Sequence, residues 1–354
     1  MTRLSVHRQV IGGVDTHKDT HHAAVIDAVT GTLLDDREFP ATGSGYRHLL
    51  DWLVSFGSVS KIGVEGTGSY GSGLCRFLLD AGVEVIETVR PDRATRRLCG
   101  KSDPIDAITA ARAVLAGICT STPKPRCGPV ESIRLLRAVR AGAVKAHTAT
   151  VNQLHAVLVT APQPLRESLA GGSTRALIES CARLRVIGQR QDPMVAAKLA
   201  LRTLARRAQG LAREIAELSG ELEPLIAATA PRLSAVFGIG PDHAGQFLTT
   251  AGDNPARIGS EAALARLCGA APIPASSGTR VRHRLHRGGD RQANRALHMI
   301  AICRMGHHAP TRAYAQRRKA EGKTNKEIIR CLKRALVREI YTALRADFAA
   351  LQST

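Results

Sequence analysis

Residues 9–39, QVIGGVDTHKDTHHAAVIDAVTGTLLDDREF, decide the fold. QVIGGV is a short apolar run that stops at Asp15, AAVIDA (23–28) is a second, and TLLDDREF (32–39) is a third, with Thr30 and Gly31 as turn residues between the last two. Short β-prone runs separated by turn residues read as a three-stranded meander. Outward from it, residues 44–56 carry a helical pattern, KIGVE (61–65) reads as a buried strand, 72–80 as a helix and EVIETV (84–89) as another strand. Two helical pieces follow Pro91, the second opening at DPIDAITAARAVLAG.

The resulting order, βββαβαβα, is that of a ribonuclease-H-like, RuvC-like α/β core. In such a core Asp15 ends the first strand and Glu65 ends the fourth, so their carboxylates can converge at one sheet edge. Asp103 and Asp106 stand three apart at a helix start, and an i,i+3 pair shares a helix face. Gathered carboxylates repel one another, and hard oxygen ligands select Mg²⁺ or Mn²⁺. Two such ions suit phosphoryl transfer. Each acid also has an ordinary reading, as a strand-end solvent residue or as a partner of the helix macrodipole. The glycine-rich GTGSYGSG (66–73) lacks the Gly-Lys-Ser/Thr ending of a nucleotide loop and reads as a turn that lets backbone approach Glu65.

Charge divides the chain. The whole carries a formal net charge of +20 over 354 residues. Residues 1–120 hold 13 basic and 14 acidic side chains, a net of −1, whereas residues 280–345 hold 18 and 4, a net of +14. A basic block of this size favours phosphate backbones through counterion release. Aromatic residues are only 3%, so base stacking contributes little. The eight cysteines show no Cys-x-x-Cys pair, which argues against a zinc ribbon or a disulfide framework. No signal-type or membrane-spanning segment is evident, and the expectation is a cytoplasmic, bacterial, nucleoid-associated protein.

Residues 121–129, STPKPRCGP, form a break. The expected division is a RuvC-like catalytic domain over 1–120, a helical coiled-coil linker over 121–230, and a mainly α-helical C-terminal domain over 231–354. Leu201, Leu204, Ala208, Leu211, Ile215, Leu218, Leu222 and Leu225 keep a 3,4 spacing, a heptad seam that either joins subunits or packs on its own chain. Gly238 and Gly240 in LSAVFGIGPDHAGQFL have the pattern of a helix-hairpin-helix phosphate contact, or of an ordinary helix end. Residues 291–306 and 325–348 read as basic helices separated by a loop.

GVDTHK (13–18), VEGTGSY (64–70), KSDPIDA (101–107), GAAPIPASSGT (269–279) and RGGDRQANRAL (287–297) together resemble the DEDD transposases of the insertion-sequence 110 family, serine-using recombinases guided by a bridge RNA. The resemblance covers about residues 9–160 and 233–318. It implies that Asp15, Glu65, Asp103 and Asp106 are the catalytic metal-binding quartet and that Ser277, before Gly278 and beside Ser276, is the nucleophile. It also implies that Arg280, Arg282, Arg284, Arg287, Arg291 and Arg295 clamp nucleic-acid phosphates. Implied partners are double-stranded donor and target DNA, a guide RNA and further copies of the chain as a dimer or tetramer. Competing readings are a DEDD exonuclease, a Holliday-junction-type endonuclease without covalent serine chemistry, and a non-catalytic binding protein. The exonuclease reading needs a second acid where His17 stands.

Overall fold

The computed structural model describes residues 8–88, 102–254, 257–276, 283–284, 286 and 288–352. The first helical piece expected after Pro91, and Ser277, Gly278, Arg280, Arg282 and Arg287, lie outside the described residues. The chain forms two compact units, one of residues 1–128 with 251–264, the other of 129–250 with 265–354.

In the first unit the meander is present as β1 (Gln9–Thr16), β2 (Thr20–Asp27) and β3 (Leu33–Pro40), followed by α1 (Gly43–Ser55), β4 (Ser58–Glu65), α2 (Ser72–Asp80), β5 (Val85–Thr88) and α3 (Asp103–Leu115). The sheet order is β3-β2-β1-β4-β5. The first three strands are antiparallel neighbours, while β4 runs parallel to β1 and β5 parallel to β4. This is the mixed α/β sheet that the pattern of apolar runs called for, consistent with a ribonuclease-H-like fold.

Strand alternation sorts the side chains into two layers. Val10, Val14, Ile62 and Val64 pack with Leu49, Leu53, Leu74 and Leu78 of α1 and α2. On the other face Ile11, Ile26 and Ile86 pack with Ala111 and Val114 of α3. The returning segment 251–264 completes this unit. There Arg257 donates from Nε to the Thr122 carbonyl at 3.0 Å and sets Nη2 3.6 Å from Glu87 Oε2, and Asn254 Nδ2 donates to the Pro123 carbonyl at 3.1 Å.

The second unit is helical: α4 (Pro129–Thr160), α5 (Gln163–Ser168), α6 (Thr174–Ala182), α7 (Pro193–Thr229), α8 (Pro231–Ser234), α9 (Pro241–Ala251), α10 (Glu261–Leu267, entering from the first unit), α11 (Arg291–His307), α12 (Ala309–Ala320) and α13 (Asn325–Gln352). Two two-residue strands, β6 (Ile273–Pro274) and β7 (His283–Arg284), pair antiparallel. The interval expected to be a loop between the two basic helices holds α12. Pro310 in its first turn and three cations in its last turn favour helix ends, but with little apolar content it shows no stripe to read.

The heptad seam lies on α7, which packs along α4 of the same chain. Leu201, Leu204, Ala208 and Leu222 are buried, whereas Leu211, Ile215, Leu218 and Leu225 are half-buried. Among the described residues, no helix is long and apolar enough to cross a membrane.

Candidate active site

Parallel pairing of Val14 with Val64 leaves the next residues, Asp15 and Glu65, side by side at the carboxyl ends of adjacent strands. Both continue the strand face lined by Gly13 and Gly63, which is the face covered by α3. Those two glycines are themselves register partners. A Cβ on Gly13 would lie 2.2 Å from the Ala107 carbonyl oxygen and 2.4 Å from the Ala111 nitrogen; on Gly63 it would lie 2.8 Å from Val114 Cγ2 and 3.0 Å from the Ala110 carbonyl oxygen. The helix backbone therefore rests directly on the sheet. Ala107, Ala110 and Ala111 form its underside. Asp103 and Asp106 extend that same i, i+3, i+4 stripe by one turn toward the helix N-terminus, over the strand ends.

Asp15, Glu65 and Asp106 are buried, whereas Asp103 is half-exposed. His17 Nε2 lies 3.1 Å from Asp15 Oδ2 and 3.2 Å from Asp103 Oδ1, bridging strand and helix. One ligand atom from each of Asp15, His17 and Asp103 falls within 4.8 Å of the others, the spacing of a shared metal. Glu65 and Asp106 are not part of that triplet. Two carboxylate charges about 5 Å apart repel by roughly 3 kcal/mol at an effective dielectric of about 20. A dication offsets this, and the donor set of hard carboxylate oxygens with one imidazole fits one. His17 was not among the residues picked from the sequence. Its signal was present, because a histidine two residues after Asp15 at a strand end faces the same side.

The glycine-rich turn behaves as its composition suggests. Gly66 adopts φ 66°, the Ser69 and Gly71 N–H groups donate to its carbonyl, and a Cβ on Gly71 would approach the Glu65 carbonyl to 2.8 Å. Thr16 Oγ1 donates to the Glu65 carbonyl at 2.9 Å and ties the two strand ends together.

In the second unit, β6 and β7 bracket residues 275–282, which include Ser277. Asn294 Nδ2 donates to the carbonyls of Cys268 and Gly269 at 2.9 Å each, and the Asp290 N–H donates to the Leu267 carbonyl at 2.6 Å. Asp290 also caps α11 by accepting from the N–H groups of Gln292 and Ala293. Thus Asp290 and Asn294 hold the base of the hairpin. Burial among these elements pushes the Cys268 thiol up to about 12. Arg284, Arg291 and Arg295 are exposed, the last two one turn apart on α11. Gly238 takes φ 82° in a turn between α8 and α9, and Arg304 donates to the Phe237 carbonyl at 2.8 Å while pairing bidentately with Glu339. The helix before that turn is a single turn long.

Comparison with known proteins bears on both halves. Residues 12–161 match a family model described as a transposase, the DEDD transposase of IS110, and residues 230–316 match one described as the transposase IS116/IS110/IS902 family. The chain belongs to the insertion-sequence 110 family. The four acids and Ser277 fall in the two matched stretches, and α7 falls between them. A relative from Streptomyces coelicolor, the insertion element IS110 uncharacterized 43.6 kDa protein, is 35% identical over 118 residues. That match covers 33% of this chain and 29% of the relative's length.

Proposed function

We propose that the protein is the transposase of an insertion sequence, cutting and rejoining DNA strands. The observation that carries this reading is the union of two matched segments of one transposase family with acids at the carboxyl ends of β1 and β4 and at the start of α3. In this reading residues 1–120 do metal-dependent phosphoryl chemistry, 121–230 link and assemble copies of the chain, and 231–354 bring the serine and the basic surface.

Asp15, Glu65, Asp103 and Asp106, with His17 beside them, would hold Mg²⁺ or Mn²⁺. When bound, the metal supplies charge neutralisation at the reacting phosphate. Ser277 is the proposed nucleophile. Its Oγ attacks a DNA phosphorus, a serine–phosphorus bond replaces one strand P–O bond, and the serine proton goes to the leaving strand oxygen. The exchanged ester bond is conserved, so the reverse attack by a new strand end rejoins DNA without ATP. Arg280, Arg282, Arg284, Arg287, Arg291 and Arg295 contact phosphates, and the Gly238–Gly240 turn adds backbone N–H groups. A structured guide RNA chooses the sequence, in keeping with few aromatic base-stacking residues. The half-buried Leu211, Ile215 and Leu218 are the part of the α7 seam available to a second copy.

The test is product analysis with plasmid, Mg²⁺ and candidate RNA. Joined recombinants together with a DNA-linked peptide containing Ser277, lost in Ser277→Ala and retained in Ser276→Ala, are expected. Degradation, or nicked four-way junctions without an adduct, would replace this reading with a nuclease or resolvase.

A further inference from the structure

A cavity of about 1070 Å³ lies in the second unit, walled by the Gly269–Pro272 segment, by His283, Arg284 and His286, and by α13. Its lining contains eight Lys and Arg side chains against two acids, Glu327 and Glu339. Both acids are engaged: Glu327 accepts from the N–H and hydroxyl of Thr324, and Glu339 pairs with Arg304. On α13, Lys326, Arg330, Lys333 and Arg334 recur at helical spacing and all reach the cavity. Small-molecule pockets are mostly apolar with a few polar groups. Here the charged groups among them are a surplus of cations, which calls for a polyanion.

Lys333 is the informative member. It is only 8% exposed, and its ammonium donates to Asn294 Oδ1 at 2.8 Å. That same Asn294 holds the Cys268 and Gly269 carbonyls at the foot of the β6–β7 hairpin. An ammonium has three donors, and burying it without an anion is costly. Burial lowers its pKa, the sign of an amine with too little compensating negative charge. Helix α13 lies beyond the residues matched by either family model.

We propose that this cavity binds the phosphodiester backbone of the DNA strand presented to the hairpin, with Lys333 as the buried phosphate contact and Lys326 and Arg330 as contacts at its mouth. The inference rests on the transposase reading and adds to it a phosphate site fixed, through Asn294, to the segment that brackets Ser277. Filling it would pull the strand toward the hairpin and compensate the buried charge in the same event.

The test is fluorescence anisotropy of the full chain on a short duplex DNA over a salt titration. Lys333→Met should weaken binding roughly tenfold, as loss of one charge-assisted hydrogen bond does, and lower the slope of log affinity against log salt by about 0.9. It should leave the melting temperature unchanged or higher, since a buried charge is removed. The exposed pair Lys326→Gln and Arg330→Gln, which poses no folding risk, should lower the slope by about 1.8. Lys145→Met, with the same change of net charge on exposed α4, should leave it alone. Unchanged slopes in the cavity variants, equal slopes in Lys145→Met and Lys333→Met, or a change confined to RNA binding would each overturn the proposal. Should the wild-type chain bind no duplex, the transposase reading fails as well.

Discussion

Replacing Gly13 by alanine adds one methyl group, yet it strikes the joint on which the candidate site depends. The new Cβ would sit 2.2 Å from the Ala107 carbonyl oxygen, against an ordinary contact of about 3.4 Å. Neither partner is a side-chain tip, so α3 as a whole must withdraw by about 1 Å. Overpacking of this kind costs roughly 3 kcal/mol, which for a unit of this size lowers the melting temperature by about 6–12 °C. Removing glycine's unfolded-state entropy returns under 1 kcal/mol. The chemical effect should be larger than the thermal one, because the same withdrawal moves Asp103 and Asp106 away from Asp15 and Glu65. A 1 Å misplacement of reacting groups costs about 10²-fold in rate. Gly12→Ala is the control: its Cβ would meet Leu53 Cδ1 at 3.1 Å and Ile62 Cγ1 at 3.2 Å, side-chain atoms that can yield. Plasmid nicking with Mg²⁺, beside a thermal melt, measures both quantities. Gly13→Ala nicking and melting like the wild type would refute the account of how α3 is seated.

Other substitutions test separate parts of the reading. Asp15→Asn and Asp106→Asn should each abolish metal-dependent cleavage with melting nearly unchanged, and Mg²⁺ should raise the melting temperature of the wild type but not of Asp15→Asn. Leu211→Glu with Leu218→Glu should lower the oligomeric state seen by light scattering; assembly as in the wild type would leave the seam wholly to packing on α4. Arg304→Met strands the Phe237 carbonyl and loosens the Gly238 turn, at roughly 2–3 kcal/mol, whereas Glu339→Gln should cost less because Glu339 is half-exposed. Under native conditions at pH 8, iodoacetamide should alkylate the exposed Cys303 and spare Cys268, whose buried thiol loses its proton only at about 12.

The elements of the first unit were legible because each is a short run closed by turn residues, and their succession along the chain followed from chemistry local to each run. Asp15, Glu65, Asp103 and Asp106 could be nominated for the same reason: they stand at strand ends and at a helix start. What the sequence hid was contact without a side chain. Gly13 and Gly63 carry no pattern signal, yet their register pairing is what lets α3 approach. His17 was passed over as the residue occupying an exonuclease acid's position, and its two carboxylate partners, Asp15 and Asp103, stand 88 residues apart in the chain. For α7, periodicity gave the stripe but not its partner, since α4 of the same chain and a second copy offer the same apolar complement. Helix α12 has charges and a proline but almost no apolar rhythm, so it vanished into the interval between its neighbours.

The first unit is discontinuous, and this sets a timetable for its birth. Arg257 and Asn254, which pin the 122–123 carbonyls, are made roughly 130 residues after that segment, or about 7–26 s later at ribosomal speeds of about 5–20 residues per second. Until then a nascent chain carries its acids on an unbraced sheet. A truncated product ending near Gly128 would stay in that state permanently, so messages broken within the gene should yield sheet fragments without a finished candidate site.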